Sequence, residues 1–228
     1  MRLEIAIDMS LKNLVNDTIP YLDPHESGEL ALERMDEYKI SHLPVVKSQT
    51  HEYCGLLSED EVYDMEDTNQ KVGSANLKHY YVDENEHIFD VLSLASENKL
   101  SVVPVLDSNQ KYLGVITQQT IIDKMSEATS ASIKGGIIEI ETDSQNYSPA
   151  LIAGISENNS MKIMSLLTRS HGTRGINAIL KLNGPDTSGV IQGLERHGYK
   201  VRQVYQGDTK YSDLMEERYN ALMNYMNV

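Results

Sequence analysis

The segment Ile40-Ser41-His42-Leu43-Pro44-Val45-Val46 recurs sixty residues later as Leu100-Ser101-Val102-Val103-Pro104-Val105-Leu106. Each copy is followed by a glycine segment, Gly55-Leu56-Leu57-Ser58 in the first and Gly114-Val115-Ile116-Thr117 in the second, at an offset of 59 residues. One residue has been lost in the loop between the two segments, where changes of length are tolerated. The chain therefore contains an internal repeat, and its fold has to be derived as two copies of one structural unit.

Each copy also has an apolar pattern of helical period upstream of its proline, at positions i, i+4 and i+7. The residues are Ala31, Met35 and Tyr38 in the first copy and Ile88, Leu92 and Ala95 in the second. Each copy is therefore predicted to run strand, helix, strand, strand, helix. We expect Pro44 and Pro104 at the first residue of a strand, where the missing N–H is not needed. The glycine of the following strand is expected at a bulge or a close backbone approach.

Residues 134–206 have a different pattern, which begins with a strand of alternating apolar and acidic residues. Ser148 and Pro149 then form a helix start, with serine as N-cap and proline at the first helical position. Two strands follow, joined by a hairpin loop at residues 169–175, and then come a helix that ends near Gly198 and a last strand. The predicted order βαββαβ is the ferredoxin-like pattern. Together with the repeat, it places the chain in the α/β (α+β) class.

Two further segments lie outside the repeat and the βαββαβ unit. Residues 129–133 are mostly small and predict a linker. Residues 207–228 predict an amphipathic helix, whose apolar stripe is formed by Met215, Tyr219, Leu222 and Met226. This stripe must pack on the same chain or on a partner copy, and its methionines suit an adaptable contact.

Charge is distributed unevenly along the 228 residues, which carry a formal net charge of −14. Residues 1–130 hold 24 acidic and 10 basic side chains, and the remaining residues hold 10 of each. Nucleic acid is excluded as a partner, because neutralising phosphates needs a clustered excess of Lys and Arg. With one cysteine, Cys54, no signal sequence and no long apolar run, the sequence predicts a soluble cytoplasmic protein that does not bind membranes.

The repeat resembles tandem CBS domains, with a first motif at about residues 15–68 and a second at about 76–128. This resemblance implies that the two motifs pack into one pseudo-symmetric disc, whose clefts hold adenine nucleotides such as AMP, ADP or ATP. In the family motif Gly-h-h-Ser/Thr-x-x-Asp, where h is hydrophobic, the hydroxyl contacts phosphate and the carboxylate accepts from the ribose. Glu61 and Thr120 stand at the Asp positions here. The nucleotide-binding residues that the resemblance implies are Ser41, His42, Pro44, Ser58, Glu61, Ser101, Pro104, Thr117 and Thr120.

Structural roles compete with these binding roles. Ser58 and Thr117 are also suited to cap the helices that follow them, with Glu61 placed to complement a helix N-terminus. His42 is either a cleft residue or a satisfied interior histidine. Tyr80 is either a platform for a base or a core residue.

The βαββαβ unit behind two CBS motifs resembles an ACT domain, and the whole chain is similar to the acetoin-utilisation-type CBS–ACT regulatory proteins of bacteria. ACT domains associate edge to edge, which implies a homodimer or a higher homo-oligomer. They also bind small effectors at the loop between their first strand and first helix. Asn146 and Ser148 are the effector-binding candidates in that loop, and a turn with an N-cap is the structural alternative.

The sequence contains no pattern typical of a catalytic nucleophile, a zinc site or a phosphate-binding loop. We therefore expect a non-catalytic protein without a cofactor. The leading hypothesis is a regulator that senses a small ligand, an adenine nucleotide above all, in the CBS clefts. One alternative is a sensor of Mg²⁺ or Ca²⁺ that uses the acidic half. The other alternative is a structural adaptor that binds no ligand.

Overall fold

The computed structural model describes residues 10–171 and 175–205. Internal contacts divide the chain into two compact units, Met1–Met125 and Ser126–Val228. The helices are α1 (Gly28–Tyr38), α2 (Glu59–Tyr63), α3 (Ile88–Asn98), α4 (Gln118–Ala128), α5 (Pro149–Asn158) and α6 (Ser188–Arg196). The strands are β1 (His42–Lys47), β2 (Glu52–Ser58), β3 (Val82–Asp83), β4 (Val102–Leu106), β5 (Tyr112–Thr117), β6 (Ile137–Asp143), β7 (Ile163–His171), β8 (Gly175–Leu182) and β9 (Lys200–Tyr205). The helix predicted at residues 207–228 lies outside the described residues.

The first unit contains both copies of the repeat. In the second copy, β3 pairs parallel to β4, and β4 pairs antiparallel to β5. In the first copy, β1 pairs antiparallel to β2. The first strand predicted for this copy is reduced to a single bridge, in which Leu22 donates its N–H to the Pro44 carbonyl and accepts from the Val46 N–H, both at 2.8 Å. The predicted order is therefore complete in the second copy, and one strand short in the first.

The motif prolines do not begin their strands, so that prediction was wrong. Pro44 is the third residue of β1, and Pro104 is the third residue of β4. In the first copy, the parallel contact with Leu22 begins at the carbonyl of Pro44. The Pro44 nitrogen lies before that point, so no backbone hydrogen bond is missing there. Proline is tolerated inside the strand because the parallel neighbour, the segment at Leu22, begins to pair only after the Pro44 nitrogen.

The glycine of the second motif segment fills the predicted role in both copies. Gly55 has φ +148° and Gly114 has φ +153°, which is backbone that side chains rarely adopt. A β-carbon would lie 2.7 Å from the Leu77 β-carbon at the first position and 2.4 Å from a Val15 methyl group at the second. The strand register also shifts next to each glycine. A bulge and a close backbone approach are thus both present.

The two copies exchange backbone hydrogen bonds. Leu56 of the first copy bonds in both directions to Lys78, which precedes the second copy, at 2.7 and 3.0 Å. Val115 of the second copy bonds in both directions to Asn16, which precedes the first copy, at 3.0 and 2.8 Å. Each glycine strand therefore pairs with the segment that leads into the other copy. We call this arrangement the crossed pairing.

Helix packing in the first unit follows the predicted period at four of six residues, since Tyr38 at the end of α1 is 38% exposed and α3 is shifted at one position. Ala31 and Met35 of α1 are buried, as are Ile88 and Ala95 of α3. Leu92 was predicted to be buried, but it is 36% exposed and Val91 is buried in its place. The reason is the helical period of 3.6, which allows either i+3 or i+4 to face the core. The largest fully buried side chains of this core are Leu11, Leu22, Leu43, Leu56, Leu57, Ile88, Leu100, Leu106 and Ile116.

The second unit has the predicted βαββαβ order. Its four strands form one sheet in the order β7-β8-β6-β9, with every neighbouring pair antiparallel. Helices α5 and α6 pack on this sheet around one hydrophobic core that includes Ile140, Ile152, Leu180, Val190 and Leu194. The order and the pairing are those of the ferredoxin-like pattern.

Two element boundaries in this unit can be compared with those predicted from the sequence. The loop predicted at residues 169–175 is shorter than expected, because β7 and β8 stay paired as far as His171 opposite Gly175. Gly198 follows the C-cap of α6 with φ +84° and so ends that helix as predicted. The sequence prediction thus made the paired part of the β7–β8 hairpin too short, and it placed the end of α6 correctly.

Candidate functional site

A cavity of about 390 Å³ opens within the first unit, and both copies of the repeat contribute to its lining. The first copy supplies the start of β1 and the junction of β2 with α2, while the second copy supplies the segment before β3 and the end of α3. The polar lining residues include Ser41, His42, Ser58 and Glu61 from the first copy and Lys78 and Tyr80 from the second. We call this cavity the first cleft.

Ser58 and Glu61 form a reciprocal capping box at the start of α2. The Ser58 hydroxyl oxygen accepts from the Glu61 N–H at 3.2 Å, and Glu61 Oε2 accepts from the Ser58 N–H and hydroxyl at 2.8 Å each. The structure therefore gives both residues the capping role. Glu61 Oε1 lies 3.8 Å from Lys78 Nζ and bonds neither group of Ser58. Glu61 Oε1 and Lys78 Nζ thus form an ion pair at the lining of the first cleft.

His42 is held by two serines that occupy equivalent positions in the two copies. Its Nδ1 lies 3.1 Å from the Ser41 hydroxyl and 3.1 Å from the Ser101 hydroxyl, and it accepts from the Ser101 N–H at 3.3 Å. Because Nδ1 accepts, the neutral ring carries its proton on Nε2. Burial lowers the pKa of His42 below 6.5, against the opposing effect of the carboxylates of Glu61 and Asp60. His42 is thus both a satisfied interior residue and a cleft residue.

The equivalent positions of the second copy carry hydroxyls only. The Thr117 hydroxyl oxygen accepts from the Thr120 N–H at 3.1 Å and lies 3.0 Å from the Thr120 hydroxyl. This cap has the geometry of the Ser58 cap without its carboxylate. The two copies therefore offer different chemistry at matched positions.

The remaining predicted site residues in this unit are placed differently. Pro44 and Pro104 are buried within their strands and are not part of the first cleft. Ser101 contacts His42 and also accepts from the Ser41 N–H at 3.0 Å. Among the predicted residues, the first cleft is thus lined by Ser41, His42, Ser58 and Glu61. Ser101 is not a lining residue, but it contacts both Ser41 and His42.

Lys78 was missed in the sequence, and Tyr80 was predicted there to be either a platform for a base or a core residue. Both enter the first cleft because Lys78 belongs to the crossed pairing with Leu56. The only available signal was the repeat itself, because Lys78 and Asn16 both lie shortly before a copy and each pairs with the glycine strand of the other copy. The repeat identifies Lys78 as a cleft residue only when it is known that the segment leading into each copy pairs with the other copy.

The effector-binding candidates of the second unit have structural partners. The Ser148 hydroxyl oxygen accepts from the Leu151 N–H at 3.2 Å and caps α5. The Asn146 side-chain amide donates to Asp143 at 2.8 Å, and the Asn146 backbone carbonyl accepts from the Tyr199 hydroxyl at 3.1 Å. Asn146 borders a small cavity, and Ser148 is not among the residues that line it. The turn and the N-cap are therefore the roles that the structure gives these two residues.

Nowhere in residues 10–171 and 175–205 do three or more His, Cys, Asp or Glu side chains converge to hold a metal ion. Within the same part of the chain, each helix is too short or too polar to cross a bilayer.

Comparison with known proteins identifies the first unit. The family model described as CBS domain matches residues 11–65 and 74–127. This unit is a tandem CBS domain pair. Inosine-5'-monophosphate dehydrogenase of Methanocaldococcus jannaschii is 27% identical over 132 residues, which are 58% of this chain and 26% of that protein. The chain thus spans about a quarter of the length of that curated relative.

Two solved structures are similar to the CBS pair. One is a CBS domain pair/ACT domain protein from Thermotoga maritima, 21% identical, with 53% of this chain and 98% of that chain covered and a TM-score of 0.48. The other is CBSX2 in complex with AMP, 19% identical, with 52% of this chain and 96% of that chain covered and a TM-score of 0.44.

Proposed function

We propose that the CBS pair is the sensor of a non-catalytic regulatory protein and that its first cleft binds an adenine nucleotide. The observation that carries this proposal is the meeting of Ser41, His42, Ser58 and Glu61 in one cavity with Lys78 and Tyr80. The cavity volume of about 390 Å³ is within the range of small-molecule sites.

Each polar group of the first cleft has a place in such a complex. Glu61 Oε1 accepts from a ribose hydroxyl, since Oε2 is already held by Ser58. Lys78 provides the positive charge for a phosphate group, and the ring of Tyr80 provides a surface for the base. Protonated Nε2 of His42 is a donor to the ligand. The acidic residues Glu59 and Asp60 also line the cleft, so Lys78 has to offset local repulsion.

A ligand in the first cleft contacts both copies of the repeat. Its binding free energy therefore depends on how the copies are arranged, and a ligand that prefers one arrangement shifts the population toward it. We propose that the second unit is an ACT-like domain at residues 134–206. In this proposal it transmits the change of arrangement either to the interface of a homodimer or to the binding of an effector. The divalent-cation alternative is not proposed, because the described residues contain no metal-binding cluster.

The test is calorimetric titration of the full chain with AMP, ADP and ATP. We expect saturable binding of at least one nucleotide, and a rise of about fivefold or more in its Kd for Glu61→Ala, which removes the ribose acceptor. Thr120→Ala is the matched control, because Thr120 holds the same helix position in the second copy and lies outside the first cleft.

The control is expected to leave the Kd unchanged. Failure of all three nucleotides to bind would overturn the proposed ligand. Equal effects of the two substitutions would remove the assignment to the first cleft.

A further inference from the structure

The sheet of the second unit is covered by α5 and α6 on one side only among the described residues. These helices pack against the side that carries Ile138, Ile140 and Leu180. Side chains alternate along a strand, so Glu139 of β6 and Ile179 of β8, which lie opposite each other, point away from the helices. We call this side of the sheet the open face.

An apolar patch runs across the open face from β7 to β9. Leu167 lies opposite Ile179 in the β7–β8 pairing, and Tyr205 lies opposite Ile137 in the β6–β9 pairing. Leu167 is 46% exposed, Ile179 38% and Tyr205 50%, and none of the four residues belongs to the core of this unit. Leu167 and Ile179 also line a cavity of about 280 Å³. Contiguous exposed apolar side chains are typical of a docking surface.

The apolar stripe predicted at residues 207–228 has the dimensions of this patch. From Met215 to Met226, a helix rises about 17 Å at about 1.5 Å per residue. The four strands of the sheet span about 14 Å, since neighbouring strands lie about 4.8 Å apart. The nine residues between Tyr205 and Met215 reach about 30 Å when extended, so the stripe can reach any strand from the end of β9.

The charges of the open face and of residues 207–228 are complementary. Arg169 and Lys181 lie on the open face, and neither makes an ion pair with a described residue. Residues 207–228 hold four acidic and two basic side chains. One of the acidic residues, Glu216, borders the stripe, because successive residues of a helix are about 100° apart. A helix laid on the open face therefore brings a carboxylate toward unpaired cations.

We propose that residues 207–228 dock as an amphipathic helix on the open face of their own chain. The stripe covers the apolar patch, and its methionines adapt to the uneven surface of leucine, isoleucine and tyrosine side chains. Burial of these apolar groups drives the docking. Attachment to β9 gives the stripe a local concentration on the order of millimolar, which favours its own chain over a second copy. The sheet of the second unit is then covered on both sides.

The test measures how fast a cysteine on the open face reacts with the thiol reagent DTNB. Ile179→Cys and Leu167→Cys are made separately in the full chain with Cys54→Ala, which leaves a single thiol in each protein. Leu222→Asp places a carboxylate within the stripe and releases the helix, so we expect the reaction to become about tenfold faster at one or both sites. Asn224→Asp is the matched control, because it adds the same charge on the polar side of the helix. It should leave both rates unchanged.

Three results overturn the proposal. Unchanged rates at both sites in Leu222→Asp would show that the stripe does not cover the open face. Equal acceleration by Leu222→Asp and Asn224→Asp would show that the effect does not come from the stripe. A rate that falls as the protein concentration rises from about 1 to about 50 μM would assign the cover to a second copy.

A fourth cysteine variant keeps local unfolding apart from release of the helix. Ala178 is fully buried on the side of the sheet that faces α5 and α6. Ala178→Cys should therefore stay unreactive in Leu222→Asp as long as the unit remains folded. If it reacts, Leu222→Ala replaces Leu222→Asp, with an expected acceleration of about threefold and the same three results against the proposal.

Discussion

His42 shows at the residue scale how the fold sets a protonation state. The Ser101 N–H donates to Nδ1, and burial lowers the pKa of the ring. Protonation of Nδ1 would place two N–H groups against each other and would put a charge in a partly buried position. The folded protein therefore holds His42 neutral, with a donor on Nε2.

A pH dependence of stability follows from this. Between its lowered folded pKa and 6.5, His42 binds more protons in the unfolded chain than in the folded one, so its contribution to stability falls as the pH falls through 6.5. The Tm should therefore drop less in His42→Asn than in the wild type when the pH changes from about 7.5 to about 5.5. The asparagine keeps an acceptor for Ser101 without a titrating group.

The control for this measurement is His25→Asn, since His25 is exposed. Its Tm drop should match that of the wild type. A drop in His42→Asn as large as that of the wild type would contradict the neutral His42.

The residues of the first cleft were only partly predictable. Ser41, His42 and Ser58 lie in the repeated segments, and Glu61 follows three residues after Ser58, where the resemblance to CBS domains implies binding residues. Lys78 lies outside those segments, and it reaches the first cleft through a contact with Leu56 that is far away in sequence. Local periodicity carries no information about such a partner.

The crossed pairing is the decisive feature at the scale of the elements. Strand β2 needs Gly55 because the segment at Leu77 and Lys78 lies directly against its backbone. The sequence predicted the order of the elements and the glycine bulge, because both depend on local chemistry. It misplaced Pro44, because the position of a proline in a strand depends on where the neighbouring strand begins.

Gly55→Ala tests the crossed pairing. The substitution forces a side chain into a conformation that favours glycine and into the Leu77 β-carbon, so we expect a loss of about 2 kcal/mol or more of unfolding free energy in urea. Gly154→Ala in α5 is the control, because nothing lies within 4 Å of its β-carbon. Alanine in a helix should there add up to about 1 kcal/mol. Similar values for the two variants would contradict the close approach at Gly55.

At the scale of the whole molecule, each unit has its own hydrophobic core. Since the two cores share no residue, we expect two transitions in differential scanning calorimetry. Gly55→Ala should lower one transition, by several degrees or more. Ser148→Ala, which removes the cap of α5, should lower the other by about 4–8 °C. A shift of the same transition by both variants would contradict independent units.

The crossed pairing also sets an order of events during folding. Asn16 and Val115 are 99 residues apart in sequence, whereas Leu56 and Lys78 are 22 residues apart. Closing the longer loop loses more chain entropy, so the second contact is expected to form earlier. On the ribosome, the segment at Asn16 emerges first and must wait for the last strand of the repeat. The CBS pair therefore cannot close until nearly all of its chain has been made.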